Sequence, residues 1–227
     1  MIVTFDVFSA LTDSRSGGAA FLDGIVARNG WPLSGGDIYD RWDALNKELH
    51  RAVEQWVSFA ELSARAMHAA LTNLGMPDDE APEISSSLLE SMTTWPVWPD
   101  VTAESLRELG DLRLGLLTNI DDGLLAGTEV MRLGVFEPDL VVTSERAQAY
   151  KPSAALYERA TKLLGPFVHV ASSARDVRGA VSADITCIRL ARPGHAVDPA
   201  GPAPLWTVDS VPHLRDAIAS AKAQVSS

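Results

Sequence analysis

Ile2-Val3-Thr4-Phe5-Asp6-Val7-Phe8 is an apolar run of β-branched and aromatic residues broken by a single carboxylate. Such a run, without polar alternation, reads as a strand buried on both faces, the pattern of a parallel sheet. Runs of the same kind recur at 112–117, 140–143, 167–171, 185–190 and 205–208. Between them lie helix-like segments near 101–109, 121–133, 153–164, 176–183 and 210–224. Strands alternating with helices predict an α/β fold: a Rossmann-like parallel sheet core with helices on both faces.

The stretch 15–94 departs from this pattern and has no convincing strand. From Asp37 to Trp56 the residues Ile38, Trp42, Leu45, Leu49, Val53 and Trp56 step by three or four and form one helical stripe. Phe59, Leu62, Ala66, Ala70 and Leu74 do the same, as do Ile84, Leu88 and Met92. Trp95-Pro96-Val97-Trp98-Pro99 then interrupts the period as a stiff connector, because two prolines exclude a helix there. The expected organisation is a core formed by 1–14 and 95–227, with 15–94 as a helical cap domain inserted after the first strand. The Pro- and Gly-rich piece 192–204 reads as a surface loop.

Composition removes several functions. With 46% hydrophobic and 22% charged residues the chain has material for a packed core and is not disordered. No run approaches the roughly 20 apolar residues of a membrane span, and Met1 to Asp6 has no basic and apolar leader. A net charge of -11 offers no basic footprint for a phosphate backbone or an anionic bilayer, so neither nucleic acid nor membrane is an expected partner. The single cysteine, Cys187, rules out a disulfide framework and a cysteine metal cluster, and a cytoplasmic location is expected. Five histidines (His50, His68, His169, His195, His213) show no metal-ligand spacing and read as packing or surface residues.

In a sheet of this type ligands bind beyond the carboxyl ends of the strands. That directs attention to Asp6, Thr118-Asn119, Lys151 and Asp176. Each has an ordinary structural reading: a strand-end cap, a helix start, a solvated loop lysine, a first-turn acid. Their order and spacing together resemble the four motifs of the haloacid dehalogenase superfamily. Motif one is Phe5-Asp6-Val7-Phe8-Ser9-Ala10-Leu11, motif two Leu117-Thr118-Asn119, motif three Tyr150-Lys151-Pro152 with Tyr157 beyond it, and motif four Val170 to Asp176. The resemblance spans nearly the whole chain, the position of the helical insertion included.

Within that superfamily the resemblance is to the 2-haloacid dehalogenase branch. Its phosphatases carry a second aspartate two places after the nucleophile and an acid-rich fourth motif that helps hold magnesium; here Phe8 and Ser172 stand instead. The resemblance therefore implies an (S)-2-haloacid dehalogenase-like hydrolase that needs no cofactor and no metal. Its substrate would be a small 2-substituted carboxylic acid. Asp6 would attack carbon to form an aspartyl ester, Lys151 would keep Asp6 ionised, and Asp176 would orient Lys151 or activate water. Thr118 and Asn119 would hold the substrate carboxylate or the leaving group, with Arg41 from the cap capturing the leaving group and Phe8, Ser9, Tyr157 and Ser173 lining the substrate. Departures from the branch are Ser9-Ala10 in place of Gly-Thr, Ala171 and Ser173 at a serine and an asparagine, and Arg175 at a tryptophan. Opening of a small cyclic amino acid by the same aspartate, a magnesium-dependent phosphatase and a non-catalytic binding module are the alternatives. The tryptophans of the cap leave room for a homodimer.

Overall fold

The computed structural model describes residues 1–225. In chain order its strands are β1 (Ile2–Phe5), β2 (Arg113–Thr118), β3 (Val141–Thr143), β4 (Phe167–Ala171), β5 (Thr186–Leu190) and β6 (Trp206–Val208). Its helices are α1 (Ser14–Asn29), α2 (Gly35–Ala52), α3 (Phe59–Asn73), α4 (Ala81–Ser91), α5 (Ala103–Arg107), α6 (Asp122–Ala126), α7 (Glu129–Arg132), α8 (Ser144–Ala147), α9 (Ala154–Leu164), α10 (Ala174–Ser182) and α11 (Leu214–Val225). Two compact units result. One comprises Met1–Thr12, Val97–Asn119 and the chain from Val130 on; the other comprises Asp13–Pro96 with Ile120–Glu129.

The first unit is a six-stranded sheet in the order β3-β2-β1-β4-β5-β6, with every pairing parallel. β1 lies centrally because both its faces are covered: Val3, Thr4 and Phe5 are fully buried. One face packs beneath α8, α9 and α10 through Leu117, Val142, Leu156, Ala160, Phe167 and Val177. The other meets α11, which contacts β5 and β6. Gly115 on β2 is required by close approach, since a Cβ there would lie 2.3 Å from the Leu140 carbonyl oxygen. In this strand order the sequence reverses direction at β1 and β4, the switch point where α/β sheets bind ligands. The first strand is shorter than the apolar run 2–8 predicts. After Phe5 the chain turns, with the Leu11 and Thr12 amides both donating to the Val7 carbonyl.

The second unit is built on α1 to α4. The stripes expected on α3 and α4 are buried, including Phe59, Leu62, Ala66, Ala70, Ile84 and Leu88. On α2 the buried face differs from the prediction. It runs Ile38, Trp42, Asn46, His50, while Leu45 and Leu49 are half-buried, and Val53 and Trp56 lie beyond the helix end. A four-residue step carries the contact line onto polar positions that an apolar count passes over. The helix α1, absent from the periodicity, is made possible by small residues: a Cβ on Gly17 would lie 2.5 Å from the Trp95 ring and one on Gly18 2.3 Å from the Tyr39 ring. Gly35 brings α2 against the α1 backbone, where a Cβ would sit 2.2 Å from the Asp23 amide nitrogen. Trp42 ties three helices together, its Nε1–H shared by the Ser63 carbonyl and hydroxyl, each at 3.2 Å, with the Ser63 hydroxyl 3.1 Å from that of Ser85. The segment Ile120–Glu129, drawn with the core on the basis of sequence, belongs to this unit because the Asp121 carboxylate accepts the Phe59 and Ala60 amides at the start of α3, at 2.9 and 3.0 Å. Among the described residues no helix is long and apolar enough to cross a membrane.

Candidate active site

Asp6 is the first residue past β1, and its amide still donates to the Val170 carbonyl of β4 at 2.9 Å, so the switch point itself fixes its backbone. The tight turn that follows folds Ser9 back onto the side chain. The Ser9 amide (3.1 Å) and hydroxyl (2.7 Å) both donate to Asp6 Oδ2. Oδ1 receives one donor, Lys151 Nζ at 2.9 Å, and keeps a lone pair. A buried carboxylate needs such partners, because an unpaired one would cost several kcal/mol.

Lys151 arrives from the loop before α9 and is 3% exposed. Its ammonium also donates to Asp176 Oδ2 at 2.5 Å, which leaves one of three N–H bonds for another acceptor. Burial lowers the lysine's proton affinity, but Asp176 and Asp6 overcome it and hold its pKa above the ordinary value. Asp176, in the first turn of α10, is equally enclosed. Burial alone would raise its pKa, yet the charge of Lys151 and the neighbouring His169 hold it far below the ordinary carboxylate range. Tyr157 donates to Asp176 Oδ1 at 2.7 Å.

Three of the residues singled out on the sequence have partners within the protein. Tyr157 is fully buried and its hydroxyl donates to Asp176. Asn119 clamps the backbone of Lys151 through both ends of its amide, accepting the Lys151 amide at 2.8 Å and donating to its carbonyl at 3.1 Å. The hydroxyl of Ser173 caps α10 by accepting the Asp176 amide at 3.3 Å. Thr118, at the end of β2, is buried and its hydroxyl has no hydrogen-bond partner among the described residues. Phe8 is half-buried beyond the turn. Arg41 belongs to the helical unit, where its guanidinium donates to Asn73 at 3.1 Å.

Two residues escaped sequence reasoning. Arg192, at the head of the presumed surface loop, is buried; it donates to the Ala10 carbonyl at 3.0 Å, pairs with Asp100 at 2.7 Å and lies 5.4 Å from the Trp98 ring centroid. It thereby braces the turn that carries Asp6. His169 stands in the middle of β4, 3.2 Å from Asp176 Oδ2. The signal for it was the one that singled out Asp6, a polar residue inside an apolar strand run.

Lys151 Nζ holds the position between Asp6 and Asp176. The side chain of Phe8 offers no oxygen, and the Ser172 hydroxyl is turned away to the Leu190 carbonyl. Among the described residues no group of three or more acid, histidine or thiol side chains is arranged to hold a metal ion.

Sheet order, insertion point and the Asp6–Lys151–Asp176 arrangement together define the class of structure: this is the haloacid dehalogenase fold. No family model and no curated protein matches the sequence. Among solved structures the chain is similar to the L-2-haloacid dehalogenase from Xanthobacter autotrophicus, with a TM-score of 0.80 at 21% identity, covering 97% of this chain and 99% of that one. A second L-2-haloacid dehalogenase matches at a TM-score of 0.77 and 23% identity over 96% of this chain and 98% of the other. A Bacillus subtilis protein described as a HAD-hydrolase bound to magnesium matches at 0.77 and 15% identity over 96% and 98%. The fold is thus shared by proteins with and without a metal in their description.

Proposed function

We propose that the protein is a hydrolase acting at carbon through an ester on Asp6, on small 2-halocarboxylic acids, without a metal ion. The observation that carries this reading is Asp6 Oδ1, a carboxylate oxygen with a free lone pair held by Lys151, close in sequence to Phe8, whose side chain can neither give a proton nor bind a cation. Halide is a weak base and leaves without a proton, so the missing acid fits carbon–halogen cleavage better than phosphate ester cleavage. A structure of the Xanthobacter enzyme with chloropropionic acid covalently bound, similar to this chain at a TM-score of 0.77, supports the same chemistry by analogy.

In the first step Oδ1 attacks the α-carbon in line; the new C–O bond forms as the C–X bond breaks and halide takes the electron pair. In the second, water attacks Cγ of the ester. The third N–H of Lys151 is available to the developing oxyanion. The ester C–O bond to the substrate then breaks, giving a 2-hydroxy acid, the Asp6 carboxylate and one proton to solvent. Asp176, already held by three donors, is a poor base; its role here is to orient Lys151.

The test is a halide-release screen on both hands of 2-chloropropionate and 2-bromobutyrate, with and without chelator, alongside a phosphate monoester and a small cyclic amino acid. Release of halide from one hand, unaffected by chelator, is expected. Phosphate release that chelator abolishes would replace this reading with a metal-dependent phosphatase, and ring opening alone would change the substrate class.

A further inference from the structure

The sheet carries a row of polar side chains that the mechanism above does not use. Thr4 on β1, His169 on β4 and Cys187 on β5 are register partners across three adjacent strands, all buried. His169 is 0% exposed, yet both its ring nitrogens are matched: Nδ1 lies 2.9 Å from Thr4 Oγ1 and Nε2 lies 3.2 Å from Asp176 Oδ2. The elements around the ring contribute defined groups. β1 gives the Thr4 hydroxyl, β5 the Cys187 thiol, α9 the Tyr157 ring edge-to-face at 6.5 Å, and α10 Asp176, behind which stand Lys151 and then Asp6. The thiol is kept neutral, because burial and then Asp176 push its pKa up.

The geometry points to His169, backed by Thr4, as a positioning residue for Asp176: its Nε2–H is a third donor that fixes the carboxylate in the orientation that grips Lys151. The argument is one of hydrogen-bond roles. An ionised Asp176 can only accept, so the proton of this contact must sit on Nε2. The hydroxyl of Thr4 can donate to a bare Nδ1, which fixes that tautomer without leaving either buried nitrogen unsatisfied. Tyr157 takes Oδ1 while Lys151 and His169 share Oδ2, so rotation of the carboxylate breaks contacts on both oxygens. His169 touches no substrate; it acts through Asp176 and Lys151 on Asp6. The placement stands independently of the proposed function, and only its catalytic consequence rests on that reading.

Two measurements on the free protein test it. Nitrogen-15 NMR of the imidazole is expected to show a proton on Nε2 at neutral pH; a bare Nε2 with the proton on Nδ1 would overturn the assignment. Carbon-13 titration of the Asp176 carboxyl is expected to move upward by about one pH unit in His169→Phe. It should return toward the wild-type position in His169→Gln, whose amide N–H reaches about as far as the ring Nε2–H. An unmoved titration in His169→Phe refutes the proposal. If that variant does not fold, Thr4→Val, which preserves shape and removes the partner of Nδ1, is expected to shift Asp176 in the same direction by less, and no shift counts against it. With an active substrate in hand, His169→Phe should lower kcat about tenfold at unchanged KM, with recovery in His169→Gln. Absence of any halide release would sink the proposed function and leave the NMR result standing; halide release with an unmoved Asp176 would do the reverse.

Discussion

The two units use buried polarity in opposite ways. In the sheet unit Ser9, Asp6, Lys151, Asp176, His169 and Thr4 form one continuous chain of contacts running from the strand ends into the sheet. In the helical unit the buried polar groups at Trp42, Ser63 and Ser85 join helix to helix. The difference follows from the architecture. Parallel strands buried on both faces satisfy their backbone in the ladder, so a polar side chain there needs a partner of its own and tends to mark chemistry. Helices packed through small residues tolerate a hydroxyl that bridges neighbours, and there polarity marks packing.

The largest expected effect comes from removing the cation that the sheet unit is built around. Lys151→Met leaves two buried carboxylates without their partner and should cost about 3–5 kcal/mol of stability, together with activity. It should also change the acid response. A carboxylate whose folded pKa is depressed contributes stability that is full above the ordinary value near 4 and lost as pH falls through the lower folded value. In the wild type Asp176 therefore resists acid, and in Lys151→Met melting temperatures recorded from pH 7 down to pH 3 should begin to fall at higher pH.

An intermediate effect is expected in the other unit. Gly35→Val forces side-chain atoms into the α1 backbone, where even a Cβ sits 2.2 Å from Asp23 N, and should destabilise the helical unit by about 3 kcal/mol in denaturant unfolding. If the comparison holds, hydrogen exchange in that variant rises in α1 and α2 while β1 and β4 keep their protection. The smallest effect is Asp121→Ala, which frees two amides at the start of α3 and should cost about 1 kcal/mol, with faster exchange at Phe59 and Ala60.

The contrast also explains what the sequence disclosed. β1 and β4 were legible because two buried faces write an uninterrupted apolar run, and the stripes of α3 and α4 because one buried face writes a period of three or four. Helix α1 escaped because its buried line, Gly18, Leu22 and Ile25, starts on a glycine and carries only two apolar side chains, and α2 was displaced because its buried line passes through Asn46 and His50. Asp6 stood out as a charge at a strand end, Lys151 and Asp176 as charges at helix starts, and the structure brings the lysine within hydrogen-bonding distance of both acids. The roles of Tyr157, Asn119 and Ser173 depend on where a side chain turns after it leaves the backbone, which spacing does not encode. His169 was visible in Phe167-Val168-His169-Val170-Ala171, but its meaning required the register that sets it beside Thr4.

The central claim is a covalent bond between Asp6 and substrate carbon. A single turnover with enzyme in excess over 2-chloropropionate in heavy-oxygen water, followed by mass measurement of the peptide containing Asp6, tests it most directly. The account predicts one labelled oxygen in Asp6 and an unlabelled hydroxy acid after that first turnover. Label in the hydroxy acid with none in Asp6 would mean that water attacks the substrate directly, and would contradict it.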